Sequence, residues 1–386
     1  MRVIMESVGI IAEYNPFHNG HLYHLEQVKK KYPNTVIVLV MSGNFMQRGD
    51  VAIFDKWKRT KMALSHGVDL VIELPFPFAT QSADFFADGA ITLLEECKVS
   101  KVIFGSESNQ IQDLETIAKA QIENKELDSL IQVYSKLGNN YPTALSLALL
   151  DLTGKKIETP NDLLGVSYLK SIYQNQYQIQ AETIQRTNDY HNKELEKSIS
   201  SATAIREALK EKKNIENQVP KDTLLYYEDF HFLEEYFPIL KYLILTEKDL
   251  SIYQTVDSDI ASTFQEHILH VNSLEELITS IKSKRYTYNK IKRMLIHILC
   301  RFTKEKANLF QRISYIRILG MNEKGRKYLH SIKKNLSLPL ISKISKEKDP
   351  MLEYEIETTQ IYDLFQNQLQ KKEYDSFPIQ MDIKKE

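Results

Sequence analysis

The chain has 386 residues, 42% of them hydrophobic and 26% charged, a balance that fits a globular protein of roughly two or three domains. Two cysteines, Cys97 and Cys300, are too few for a zinc cluster or a disulfide framework, so a cytoplasmic setting is expected; no apolar run reaches membrane-spanning length and no secretory h-region opens the chain. The net charge of −1 hides a split, with 3 Lys/Arg against 10 Asp/Glu over 221–270 and 18 against 2 over 282–346, and the second stretch calls for an anionic partner or a very acidic neighbour. Short, nearly continuous apolar runs at 8–13, 35–41, 69–74 and 101–104 predict strands of a parallel sheet covered on both faces. Helical patterns fill 20–31, 55–66 and 81–96, then 111–137, 142–153 and 161–174; a further strand is predicted at 179–186 and a helix at 202–210. This βαβ alternation implies right-handed crossovers and an α/β, doubly wound, Rossmann-like domain. From about residue 220 glycine is nearly absent and Leu, Ile and Tyr recur at helical spacing. The expected division is an α/β unit over 1–217 and a mainly α-helical, basic unit over 218–386, with a polar, loose tail over 371–386.

In open α/β sheets ligands bind beyond the carboxyl ends of the strands. Three segments follow predicted strands and should share that edge: the turn HNGH (18–21), the loop SGNFMQRGD (42–50) and Gly105-Ser106-Glu107. The HNGH turn breaks an apolar strand and feeds a helix at once. Backbone N–H groups and the helix dipole favour phosphate there, and the imidazoles of His18 and His21 can donate to phosphate oxygens as charge builds up. A metal site on His18, His21 and His24 lacks any Cys or carboxylate partner at ligand spacing, and His24 alone reads as a helix-face residue. A second constellation is SISSATAIR (198–206). Ser200, Ser201 and Thr203 can cap a helix or bond a phosphate, and Arg206 can grip the same anion with a fork of donors. Arg48, Lys56 and Arg59 read either as a solvated helix face or as contacts to phosphate or nucleic acid. In the basic block Lys282, Lys284, Arg285, Lys292 and Arg293 are the candidates for RNA backbone contact, while its aromatic residues read as core. The string FPFATQSADFF (76–86) reads mostly as core, with a few residues free to shape a small pocket.

HNGH with ISSATAIR resembles the paired motifs of the nucleotidylyltransferase superfamily. The longer strings EYNPFHNGHLYHL, SGNFMQRGD, ELPFPFATQSADFFA, FGSE and PNDLLGVSYLK resemble the bacterial tRNA(Met) cytidine acetate ligase family over about residues 8–210. That resemblance implies a reaction in two halves. Acetate and ATP give acetyl-adenylate and pyrophosphate, and the acetyl group passes to N4 of the wobble cytidine C34 of elongator tRNA(Met), giving N4-acetylcytidine. It implies that His18, His21, Ser200, Ser201 and Arg206 are catalytic. It implies an ATP loop of Ile11, Ala12, Glu13, Tyr14, Asn15, Pro16, Phe17, His18, Asn19, Gly20, His21, Leu22, Tyr23 and His24, together with Gly105, Asn161 and Arg186. On their own, Asn161 and Arg186 would read as a helix start after Pro160 and a solvated strand-end charge. Asp162 departs from the second Asn expected there, which bears on adenine or ribose recognition. Mg²⁺ would bridge the phosphates, held by nucleotide and water rather than by a protein cage. The alternatives are a small-molecule adenylyltransferase, which needs no basic helical unit, and an inert RNA-binding protein on a nucleotide fold, against which the intact motifs speak.

Overall fold

The computed structural model describes residues 5–186, 200–227, 230–344, 349–365, 369, 373, 374 and 376–381. In chain order its elements are β1 (Ser7–Ala12), α1 (Asn19–Lys31), β2 (Val36–Ser42), β3 (Phe45–Met46), β4 (Asp50–Val51), α2 (Lys56–Ser65), β5 (Leu70–Leu74), α3 (Phe76–Ala79), α4 (Ala83–Glu96) and β6 (Lys101–Ser106). Then come α5 (Ile111–Glu123), α6 (Leu127–Lys136), α7 (Tyr141–Thr153), α8 (Pro160–Gln174), β7 (Gln180–Gln185) and α9 (Ala202–Lys210). The remaining elements are α10 (Phe237–Thr246), α11 (Ser258–His267), α12 (Leu274–Ile281), α13 (Tyr288–Leu299), α14 (Lys304–Leu309), β8 (Ile316–Met321), α15 (Glu323–Ile332), β9 (Leu340–Ile341), α16 (Pro350–Tyr362) and β10 (Ile379–Gln380).

The sheet order is β10-β8-β5-β2-β1-β6-β7, with β9 also paired to β8. The five strands β5, β2, β1, β6 and β7 run parallel, so the α/β, parallel-sheet expectation is borne out. The continuous apolar runs are the central strands: every residue of β2 and of β5 is buried, as helices on both faces require. The chain leaves β1 toward β2 on one side and reaches β6 on the other. The gap beyond the carboxyl ends of β1 and β6 is therefore the switch point where doubly wound folds take ligands.

A boundary at 217/218 does not separate sheet from helices. Residues 237–309 supply helices α10–α14, but the chain then returns as β8, which pairs antiparallel with β5 through Leu70↔Met321 and Val71↔Gly320. The segment expected as a loose tail supplies β10, parallel to β8, and a buried Glu373; 371, 372, 375 and 382–386 lie outside the described residues. Helix α15 docks beneath the first strands. Tyr328 Oη donates to Cys97 O at 2.6 Å and meets Ser7 Oγ at 2.8 Å, and Asn322 Nδ2 donates to Asp69 Oδ1 at 2.7 Å.

Five buried charges join the two ends of the chain. Lys56 Nζ lies 2.6 Å from Glu73, 3.0 Å from Glu373 and 3.9 Å from Glu355. Arg317 bridges Glu73 at 3.0 Å and Glu373. Two cations face three carboxyls, and burial next to Glu73 pushes the Glu355 carboxyl up to about 8, so a proton on Glu355 brings the cluster to neutrality.

Candidate active site

The loop after β1 is held from three sides. Asn15 Nδ2 donates to Val51 O at 3.3 Å, and its Oδ1 accepts from Ile53 N at 2.9 Å. Phe17 is buried. His18 is the N-cap of α1, where its Nδ1 accepts the Gly20 N–H at 3.0 Å, and His21 Nδ1 accepts the His18 N–H at 3.3 Å. This is a capping box built from two imidazoles in place of Ser and Glu. With both Nδ1 atoms accepting, each neutral ring carries its proton on Nε2, the one nitrogen it can offer to a ligand. The rings stack at 3.8 Å between centroids. Burial, then Arg186 and Arg206, pulls His18 down to about 3; burial, then His18, holds His21 well below the ordinary imidazole range. Burial likewise lowers His24 to about 4. The pair is thus a set of neutral N–H donors.

Helix α9 forms the facing wall. Ser201 caps it, accepting the Ala204 N–H at 3.1 Å. Arg206 Nη1 donates to Asn15 O at 2.7 Å and Nη2 to Thr203 Oγ1 at 3.1 Å, which ties the second motif directly to the first. Asn19 N donates to Gln218 O at 3.0 Å, a second tie. Ser200 does not line the cavity: it is buried, and its Oγ donates to Gln218 Oε1 at 2.8 Å. At the β6 and β7 ends, the aliphatic part of Arg186 lies over Gly105, where any Cβ would stand 3.2 Å from Arg186 Cγ. Asn161 Nδ2 donates to Glu107 Oε1 at 2.5 Å. Asp162 is buried and accepts from Ser106 Oγ, Ser108 N and Thr159 Oγ1. It shapes the turn after β6 and does not line the cavity.

The loop at 42–50 folds into a hairpin, β3 and β4, that forms a third wall. Gln47 N donates to Glu13 Oε1 at 2.7 Å, and burial raises the Glu13 carboxyl. Helix α13 presses on this hairpin. Gly49, at φ +77, approaches so closely that a Cβ would lie 2.2 Å from Arg293 N, so no side chain is tolerated there. Lys292 pairs with Asp50 at 2.6 Å, and Arg293 Nη1 faces Gln47 O at 3.5 Å.

These walls enclose one cavity of about 750 Å³ at the switch point, lined by His18, His21, His24, Gly105, Asn161, Arg186, Ser201, Thr203, Arg206 and Arg48, among others, a size that suits a nucleotide. Ile10, Phe86, Phe104, Leu164 and Tyr168 supply its apolar surface. Of the string 76–86, Ala83 and Phe86 reach it, whereas Phe76 and Phe78 are core. Gln47 and Asp50, from the loop expected at this edge, also line it, as do Tyr168 and Asn289, and nothing local in the sequence of Tyr168 or Asn289 marks them. Among the described residues no cluster of three or more His, Cys, Asp or Glu forms a metal site.

Two of the expected RNA contacts are corrected. Lys56 and Arg59 are fully buried, neither solvated nor able to reach RNA. Lys56 belongs to the five-charge cluster. Arg59 donates to Phe54 O at 2.9 Å, to Glu13 O at 2.7 Å, to Ser42 O at 3.0 Å and to Gly43 O, binding the ends of β1 and β2 beneath the cavity. Lys282 and Lys284 are exposed. Arg285 is exposed too and pairs with Asp257 and Asp259, while Arg301 pairs with Glu247. The acidic stretch thus neutralises part of the basic one.

The profile of the HIGH nucleotidyl transferase family matches residues 5–376. A tRNA(Met) cytidine acetate ligase from Geobacillus sp. (strain WCH70) is 45% identical over 370 residues, covering 91% of this chain and 92% of its own. Another from Caldicellulosiruptor saccharolyticus is 39% identical over 396 residues, covering 98% of both chains. The crystal structure of Thermotoga maritima TmcAL without ligand superposes with a TM-score of 0.91 at 30% identity, covering 98% of this chain and 100% of that one. The same protein bound with alpha-thio ATP superposes at 0.88, with the same identity and coverage.

Proposed function

The chain belongs to the tRNA(Met) cytidine acetate ligases of the HIGH nucleotidyl transferase family, and from that premise we propose that it activates acetate with ATP and passes the acetyl group to the wobble cytidine of elongator tRNA(Met). The observation that carries this reading is the convergence of HNGH and the α9 cap on one arginine-lined cavity, joined by the bond from Arg206 to Asn15 O.

In the first half-reaction an acetate oxygen attacks the α-phosphorus and pyrophosphate leaves. Both reactants are anions, so positioning and charge neutralisation dominate the barrier. The Nε2–H groups of His18 and His21 donate to the α-phosphate oxygens as negative charge concentrates there. Arg206, Ser201, Thr203 and the positive end of α9 receive the leaving phosphates. Gly105, Asn161 and Arg186 stand at the end of the cavity left for the nucleoside. Ser200 acts by fixing the cap through Gln218 rather than by touching phosphate. The described residues offer no carboxylate cage for Mg²⁺; held by the triphosphate, it would supply positive charge to the phosphates. In the second half-reaction the cytidine amine attacks the acetyl carbonyl and AMP leaves. The exposed Lys282 and Lys284, with Arg285 beside them, suit the RNA backbone, whereas Lys292 and Arg293 are turned to the hairpin by Asp50 and Gln47 O. We place the protein in the cytoplasm, with its tRNA.

The test is a reaction with labelled acetate, ATP and tRNA(Met), followed by mass spectrometry of the nucleosides. Label in N4-acetylcytidine and acetate-dependent ATP–pyrophosphate exchange are expected. Exchange without any labelled nucleoside would turn the reading toward a small-molecule adenylyltransferase, and absence of both would overturn it.

A further inference from the structure

Acetyl transfer to an exocyclic amine sheds a proton, and nothing in the first half-reaction prepares for it. The attacking acetate is already an anion, so adenylate formation needs no base. Cytidine N4 is a weak nucleophile that must lose one N–H proton as its C–N bond forms. We propose that Glu13 is the group that takes this proton, an inference that rests on the ligase reading above.

Among the described residues two carboxylates line the cavity, Glu13 and Asp50. Asp50 is committed to Lys292 at 2.6 Å. Glu13 forms no ion pair among the described residues, and one of its oxygens is steadied by the Gln47 N–H at 2.7 Å. A carboxylate held by a neutral donor keeps a second oxygen able to accept a proton. The charged and titratable groups that face Glu13 come from four elements: Arg48 from the hairpin, Arg206 from α9, Arg59 from α2 and Tyr168 from α8. None lies within ion-pair distance among the described residues, yet together they let an anion reside beside a triphosphate. Burial moves its carboxyl upward, the direction that suits a base working near neutral pH.

Its place along the wall fits the second substrate. Glu13 lies five residues before His18 and lines the same cavity, on the side held by the hairpin through Gln47. Gln47, which holds it, turns its own carbonyl toward Arg293 of α13, and α13 also contributes Asn289 to the cavity rim. The base therefore sits where the nucleotide loop meets α13, the helix that follows the exposed Lys282 and Lys284 in the chain. The step balances without a further reactant. The N4 lone pair forms the bond to the acetyl carbon, the acyl–phosphate C–O bond breaks, AMP leaves as its phosphate anion, and the N4 proton moves to a Glu13 carboxylate oxygen.

Glu13→Gln keeps the size of the side chain and its acceptor for Gln47 N–H. The two half-reactions are read separately, by acetate-dependent ATP–pyrophosphate exchange and by single-turnover transfer from acetyl-adenylate to tRNA(Met). Transfer is expected to fall about 100-fold further than exchange does, and the rise of the transfer rate with pH is expected to vanish. Glu13→Asp, which keeps the carboxylate on a shorter arm, should restore part of the transfer rate and the pH dependence. It also carries the test if the Gln variant melts below assay temperature. Equal losses in both half-reactions, or an unchanged pH profile, would overturn the assignment of Glu13. A wild-type protein that labels no cytidine would instead overturn the ligase reading.

Discussion

Replacing Arg59 by lysine separates a buried clamp from a surface contact. The guanidinium spreads its donors over the carbonyls of Glu13, Ser42, Gly43 and Phe54. Lysine keeps the charge, but one ammonium cannot span acceptors on three separate segments. Hydrogen bonds from a charged donor are worth about 1.5–3 kcal/mol each, so losing two costs about 3–6 kcal/mol. That is a large share of the roughly 5–15 kcal/mol that keeps a typical protein folded. An unfolding entropy near 2.1 cal/mol/K per residue scales to about 0.8 kcal/mol/K for 386 residues, and the expected fall in Tm is about 4–8 °C. Differential scanning calorimetry reads it. Fluorescence anisotropy with tRNA(Met), at temperatures well below the transition and at several salt concentrations, should give the wild-type salt slope. An unchanged Tm combined with weakened, less salt-sensitive tRNA binding would refute the clamp and return Arg59 to the surface.

His18→Asn should keep the α1 cap, because an Asn side chain can accept the Gly20 N–H, while losing the Nε2 donor; acetate-dependent exchange should drop about 10²–10³-fold at nearly unchanged Tm, and wild-type exchange would sink the donor role. The His18 imidazole has a folded value of about 3 against an ordinary 6.5, so the stability held by the neutral ring is full above about pH 6.5 and is lost as pH falls toward the folded value. Urea melts without nucleotide should show lower stability at pH 5 than at pH 7, and His18→Asn should reduce that difference; equal differences in both proteins would count against a buried neutral imidazole. Lys282→Ala with Lys284→Ala should make the log–log salt slope of tRNA binding shallower by about 0.7–0.9 per lost phosphate contact, with exchange unaffected. An unchanged slope would place the RNA elsewhere.

Strands whose chemistry is uniform were legible. The apolar runs around Val36–Ser42 and Leu70–Leu74 could only be buried, and they are. The strand Ile316–Met321 escaped because Arg317 interrupts its pattern, and its partners Glu73 and Glu373 are remote in sequence. The same blindness made Lys56 and Arg59 look solvated. A charge on a helix reads as surface unless its buried partner is known, and for Lys56 the partners come from three other segments. The cavity was legible where a motif needs special local geometry, as at His18, His21, Gly105 and Arg206. It was not legible at Tyr168 or Asn289, which reach it only because α8 and α13 pack around it. Asp162, the one departure from the family pattern, lies behind the cavity and reads no part of it directly.

The five-charge cluster has a consequence for how the protein is made. Lys56 and Glu373 are about 317 residues apart and meet at 3.0 Å. At the usual pace of about 5–20 residues per second, a ribosome delivers the second partner roughly 15–60 s after the first. Until then the nascent N-terminal sheet has β5 as an open edge, awaiting β8, with Glu73 and Lys56 lacking their later partners. Such a chain is exposed to aggregation while it waits, and a ribosome that stalls before the last segment would release a chain that has the nucleotide motifs but no closed interior.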